Sequence, residues 1–148
     1  MKKLNFLLLL IPFLLLSCSD DSDSEQPVSY SVQGLWKTTS AVLNGVERFG
    51  GTNPVKSELN YFNEDGSFNT QSYSDTNFTT RISYSTGTYT LPTSSSLNMS
   101  ANAYNASNVI TGSYNISAQI TLINSTQLHI KILNYPAAND VYVKKYIR

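Results

Sequence analysis

From about position 33 onward, apolar and polar residues alternate with a spacing of two, and this pattern is satisfied by β-strands with one buried and one wet face. Leu128, Ile130 and Ile132 alternate with Gln127, His129 and Lys131, and Ile116, Ala118, Ile120 and Leu122 alternate with Ser117, Gln119 and Thr121. Leu97, Met99 and Ala101 do the same against Asn98 and Ser100. No window of similar length carries helical spacing, and Ser, Thr, Asn and Tyr dominate, which suits strands and turns. Turn chemistry punctuates the run at Asn44-Gly45, Gly50-Gly51-Thr52-Asn53-Pro54, Asn63-Glu64-Asp65-Gly66, Leu91-Pro92, Asn124-Ser125 and Pro136 to Asp140. Eight strands are thus expected, over 33–43, 55–62, 67–73, 79–90, 96–102, 109–122, 127–133 and 140–147. Many short strands joined by tight turns make a sandwich or a barrel. The expectation is an all-β, eight-stranded antiparallel up-and-down β-barrel, which leaves no open edge and has room inside for packed side chains or one small ligand.

The first 27 residues follow different rules. Lys2 and Lys3 precede an apolar run over 4–16, interrupted only by Asn5 and Pro12. A bilayer-spanning helix needs roughly 20 apolar residues and a secretory signal about 7 to 15, so residues 1–17 are expected to be an export signal. Leu15-Leu16-Ser17-Cys18 resembles the bacterial lipobox, which implies cleavage after Ser17 and acylation, palmitate included, of Cys18. Cys18 is the sole cysteine, so no disulfide is expected in the mature chain. Residues 18–27 are acidic and lack apolar side chains, as a solvated tether does. Their Ser and Asp crowding resembles the surface-export signal of lipoproteins in the Bacteroidota, a plain spacer being the alternative. The expected location is the bacterial outer membrane, anchored by lipid, with the cell surface as one possible face.

Residues 28–148 are then one domain of ordinary size with its own core. Its eight cations exceed its six anions only slightly and form no basic cluster, so nucleic acid is not an expected partner.

Gly34-Leu35-Trp36-Lys37 is similar to the Gly-x-Trp motif of lipocalins, and more closely to that of lipocalin-like domains of Bacteroidota lipoproteins. The segment Leu59 to Phe68, turning through Asp65-Gly66, resembles their apolar hairpin. Gly87-Thr88-Tyr89-Thr90-Leu91, the 122–132 stretch and Tyr142-Val143-Lys144-Lys145 follow in the family's order. The chain departs from classical lipocalins in having no Thr-Asp-Tyr motif and no disulfide pair. The resemblance implies that Gly34 and Trp36 close one end of the barrel, with a cation from the last strand over the indole face: Lys144 or Lys145, or else Arg148. A simple core tryptophan is the alternative. It also implies that the glycine-rich segment 44–54 lids the other end, making Arg48 and Phe49 candidates to touch a ligand, unless that loop is merely exposed.

Ten tyrosines form the other unusual feature, each offering an apolar ring and a polar hydroxyl. Tyr61, Tyr84, Tyr89 and Tyr114 are candidates for a pocket wall, although tyrosine is also simply a good strand former. Catalytic signals are weak. His129, the only histidine, falls on a polar strand face without a metal-binding companion, and Glu64-Asp65 beside Gly66 reads as a hairpin turn. Sequons at Asn77, Asn98, Asn105, Asn115 and Asn124 fit a composition rich in Asn, Ser and Thr. The expected function is therefore non-enzymatic: a monomeric, membrane-anchored barrel without cofactor or metal, binding a small amphipathic or hydrophobic molecule. The alternative is a solid barrel whose surface contacts a protein or glycan.

Overall fold

A computed structural model describes residues 30–49 and 52–148. The export signal, Ser17, Cys18 and the tether lie outside the described residues, as do Gly50 and Gly51 of the first long loop. The described chain is all-β. Its strands are β1 (Gly34–Leu43), β2 (Val46–Glu47), β3 (Ser57–Phe62), β4 (Ser67–Tyr73), β5 (Arg81–Thr93), β6 (Ser96–Asn105), β7 (Ile110–Ile123), β8 (Gln127–Leu133) and β9 (Val141–Ile147).

Each strand from β3 onward pairs antiparallel with the next, while β1 pairs with both β3 and β9. The result is a closed eight-stranded up-and-down barrel with one extra two-residue strand, as the alternation and turn spacing predict. Closure leaves β1 with two partners of unequal reach: its first half runs along β3 and its longer second half along β9. A bulge places Thr39 as the additional residue between the Thr38↔Tyr146 and Ser40↔Lys145 pairs, letting β1 bend as the barrel rolls shut.

The extra strand differs from the expected free lid. Asn44 and Gly45 both have positive φ (50° and 82°), which makes a two-residue turn whose twist matches a hairpin, so the chain folds back as β2 against Val42 and Leu43. Glu47 then locks this corner. Its carboxylate accepts from the backbone N–H of Ala41 (2.9 Å), Arg48 (3.0 Å) and Phe49 (2.9 Å) and from Ser40 Oγ (2.6 Å). Burial opposes ionisation, but these hydrogen bonds outweigh it and hold the Glu47 carboxyl below its usual range.

At the β3–β4 hairpin, Asp65 accepts from Ser67 N at 2.8 Å and Gly66 supplies a φ of +80°. Glu64-Asp65 is thus turn chemistry. Between β5 and β6 the backbones come so close at Gly87 that an added Cβ would lie 1.9 Å from Ser100 O and 2.7 Å from Ala101 Cα. Only glycine fits there, and the long strand β5 curves past this point.

The apolar core sits at one end. Trp36 and Leu128 are fully buried, with Val32, Phe62, Phe68 and Leu97 beside them. Phe62 meets Tyr89 edge-on at 5.2 Å and Phe68 at 6.0 Å, which fills the taper of the barrel. The Trp36 indole N–H donates to Val32 O at 2.6 Å, fastening the entering segment under the plug.

Candidate functional site

Above the plug the character of the interior changes. The inward positions of β3 after Phe62 are Asn60 and Glu58, those of β4 after Phe68 are Thr70 and Ser72, and β5 contributes Ser85. On the other side of β1, β9 turns Tyr142, Lys144 and Tyr146 inward beside Ile132, Ile130 and Leu128 of β8. These side chains, with Tyr114, Tyr135, Met99 and Ile116, surround a cavity of about 210 Å³. At ~30 Å³ per molecule it holds about seven waters, which is hexose size and too small for a long acyl chain.

A buried ion pair organises the polar side of this chamber. Lys144 Nζ lies 2.6 Å from Glu58 Oε1, the two side chains being 15% and 10% exposed. The same oxygen accepts from Thr38 Oγ1 (2.8 Å) and Asn60 Nδ2 (3.2 Å). Asn60 Nδ2 also reaches Thr38 Oγ1 (3.0 Å), and Asn60 Oδ1 accepts from Thr70 (2.9 Å). The network is connected from β1 through β3 to β4, so each member fixes the rotamer of the next. Burial by itself would lower the Lys144 ammonium, yet the Glu58 charge, then Tyr146 and Tyr142, outweigh it and hold the group protonated well above its usual range. Burial pushes the Tyr146, Tyr142 and Tyr114 hydroxyls up, so these tyrosines stay neutral hydroxyl groups beside the ion pair.

The second Glu58 oxygen, Oε2, and the hydroxyls of Tyr142 and Tyr146 have no hydrogen-bond partner among the described residues. None of these atoms is sealed from solvent, because among the described residues the fully buried side-chain atom left without a partner is Asn69 Oδ1, which lies on the other face of β4 and not in the chamber. They therefore open on the chamber.

Several candidates stand elsewhere than expected. The cation over Trp36 is neither Lys144 nor Lys145. Arg148 takes that position, 4.3 Å above the ring, and donates to Ser31 O (2.9 Å) and Gln33 O (2.6 Å). Lys144 cannot serve because strand alternation turns it inward, one pair of residues too deep, toward Glu58. Lys145 faces outward beside His129. Gly34 lies at the strand entry with φ +113°, under the Arg148 side chain.

Of the tyrosines, Tyr114 lines the chamber. Tyr89 is inward but belongs to the plug, its hydroxyl donating to Asn63 O at 2.8 Å. Tyr61 and Tyr84 have outward phase and are corrections: Tyr61 pairs with outward Asn69, and Tyr84 stacks on Tyr104 at 4.7 Å with the Arg81 guanidinium 4.6 Å from its ring. Arg48 and Phe49 do not line the chamber, because the Glu47 corner holds their backbone to β1. The sequence reading missed Glu58, Asn60, Tyr135, Tyr142 and Tyr146. For Glu58 and Asn60 the signal is the pairing across the Asn63–Gly66 turn, which places Phe62 and Phe68 inside and forces Glu58 and Asn60 to the same face.

His129 is on the outer wall, where burial and then Lys145 lower its pKa. Among the described residues no three His, Cys, Asp or Glu side chains are grouped to hold a metal. No protein-family model, curated protein or solved structure matches the chain.

Proposed function

We propose that this chain is a lipid-anchored lipoprotein of the bacterial outer membrane whose lipocalin-like barrel binds a small amphipathic molecule in the chamber beside Glu58 and Lys144. The observation that carries the reading is the unsealed polar chamber above an apolar plug: a barrel needing only stability would fill that volume with apolar side chains. Its size and its charged pair favour a compact, partly polar cargo over a long hydrophobe. Acylated Cys18 supplies the anchor, and the described chain meets the barrel at the plugged end, where Arg148 donates to Ser31 O and Gln33 O.

The test is native mass spectrometry of the detergent-extracted lipoprotein from the cell that naturally makes it. A diacyl or triacyl mass on Cys18 is expected, together with a further small mass lost on denaturation. An unacylated chain refutes the anchor, and a bare acylated chain refutes the cargo. A second reading is a surface interaction module, favoured by the outward Arg81–Tyr84–Tyr104 stack and by Val109 and Ile110, 57% and 59% exposed at the β6–β7 tip.

A further inference from the structure

The chemistry of the chamber narrows what it can hold. The Glu58–Lys144 pair sums to zero charge, so a ligand carrying a net charge would leave part of its own hydration for a chamber that holds no unpaired counter-charge. A zwitterion fares no better, because its ammonium and carboxylate would each compete for one member of a pair already joined at 2.6 Å. What the pair leaves unused is a free acceptor, Glu58 Oε2, next to the remaining N–H donors of Lys144. Adjacent hydroxyl groups on one molecule match that arrangement, since one donates to the carboxylate oxygen while its neighbour accepts from the ammonium. Glu58 is 7% and Tyr146 3% exposed, so these unpartnered polar atoms are deeply set and aimed into the cavity. The hydroxyls of Ser72, Ser85 and Thr70 ring the same space, and the Tyr142 and Tyr146 rings give flat apolar walls for C–H faces.

We infer that the chamber takes an uncharged polyhydroxylated molecule of monosaccharide size, held by a vicinal diol that bridges Glu58 Oε2 and Lys144 Nζ. The inference rests on the reading that the barrel interior is the ligand site. It goes further by naming the class of ligand and the two atoms that recognise it.

Amide and lysine side-chain NMR of the isotope-labelled chain from position 18 onward, carrying Cys18→Ser, tests it with three sets of probes at millimolar concentration. The neutral polyols are D-glucose, D-galactose, D-mannose and myo-inositol; the charged analogues are D-gluconate and D-glucosamine; the apolar probes are phenol and 1-hexanol. At least one neutral polyol is expected to shift Asn60, Thr70, Ser85 and the Lys144 ammonium saturably, with the charged analogues about tenfold weaker or worse. Phenol or hexanol shifting these signals while no polyol does so overturns the inference and leaves the interior binding site standing. Equal binding of the charged analogues also overturns it. If no probe moves the chamber signals, both readings fall. A Glu58→Gln/Lys144→Met chain that keeps its signal dispersion should lose polyol binding by about tenfold or more and retain any phenol shift; unchanged polyol affinity refutes the bridging role.

Discussion

Replacing Glu58 by glutamine leaves the Lys144 ammonium in place, with its one counter-charge gone. Removing one partner of a buried pair costs about 3–5 kcal/mol in a fully dry interior. Here the side chains are 15% and 10% exposed and face a chamber with room for water, so about 2–4 kcal/mol is expected at pH 7 for Glu58→Gln. For a domain of this length that corresponds to a fall in Tm of about 10 °C. The double change Glu58→Gln/Lys144→Met removes both charges and should recover most of the loss, because an apolar side chain of similar length has no desolvation penalty. The pH dependence has a definite sign. Without Glu58, burial dominates and lowers the folded pKa of Lys144 below its unfolded value. The single variant then binds fewer protons folded than unfolded, and its deficit shrinks as pH rises toward the ordinary lysine range. Urea unfolding of all four members of the cycle, followed by Trp36 fluorescence, measures the coupling. A Glu58→Gln loss below about 0.5 kcal/mol, or a double variant no more stable than the single, would refute the description of this pair as buried and mutually dependent.

Other consequences follow from particular contacts. Gly87→Ala must push the β5 and β6 backbones away from each other, since its Cβ would meet Ser100 O at 1.9 Å, and a loss at the top of the ~1–3 kcal/mol overpacking range is expected by denaturant titration. Arg148→Met removes the guanidinium from the Trp36 face and from Ser31 and Gln33, with an expected loss of about 1–2 kcal/mol and faster proteolysis of the entering segment. The same change at Lys145 should cost almost nothing. His129 has its folded pKa depressed, so the unfolded chain takes up more protons near its ordinary value of 6.5 and stability falls as pH drops through that value and below. His129→Gln should flatten that region of the stability profile measured between pH 7 and 5. The Asp75 carboxyl, held to about 2 chiefly by the Thr79 N–H and further bonds to Thr80 and Asn77, binds fewer protons folded than unfolded; its stabilisation is complete above the ordinary carboxyl value and is lost as pH falls through about 2.

The barrel was legible because its strongest signals are local. Turn residues such as Asn44-Gly45 and Asp65-Gly66 fix hairpins almost by themselves, and β7 and β8 carry clean alternation with Ala118, Ile130 and Ile132 inside. The chamber was not legible, because the same rule reads backward where the interior is polar. In β9 the apolar Val141, Val143 and Ile147 invite an inward assignment, yet the inward set is Tyr142, Lys144 and Tyr146. In β3, Leu59 and Tyr61 mislead in the same way while Glu58 and Asn60 face in. Both strands flank β1, whose own inward set still includes the apolar Trp36 and Ala41, so the inversion is confined to the two strands that carry the ion pair. For the cation over Trp36 the last of the three expected residues is the one in place, because the indole lies at the plugged end, level with Arg148 just after β9, whereas Lys144 is deeper along the strand.

A crystal structure of the barrel isolated from the cell that naturally makes it tests the central claim most directly, because the chamber is small enough for its contents to be seen whole. Continuous density that isolated waters do not fit, in contact with both Glu58 Oε2 and Lys144 Nζ, is the predicted result. A chamber filled with ordered water alone, or collapsed around a rearranged Lys144, would contradict it.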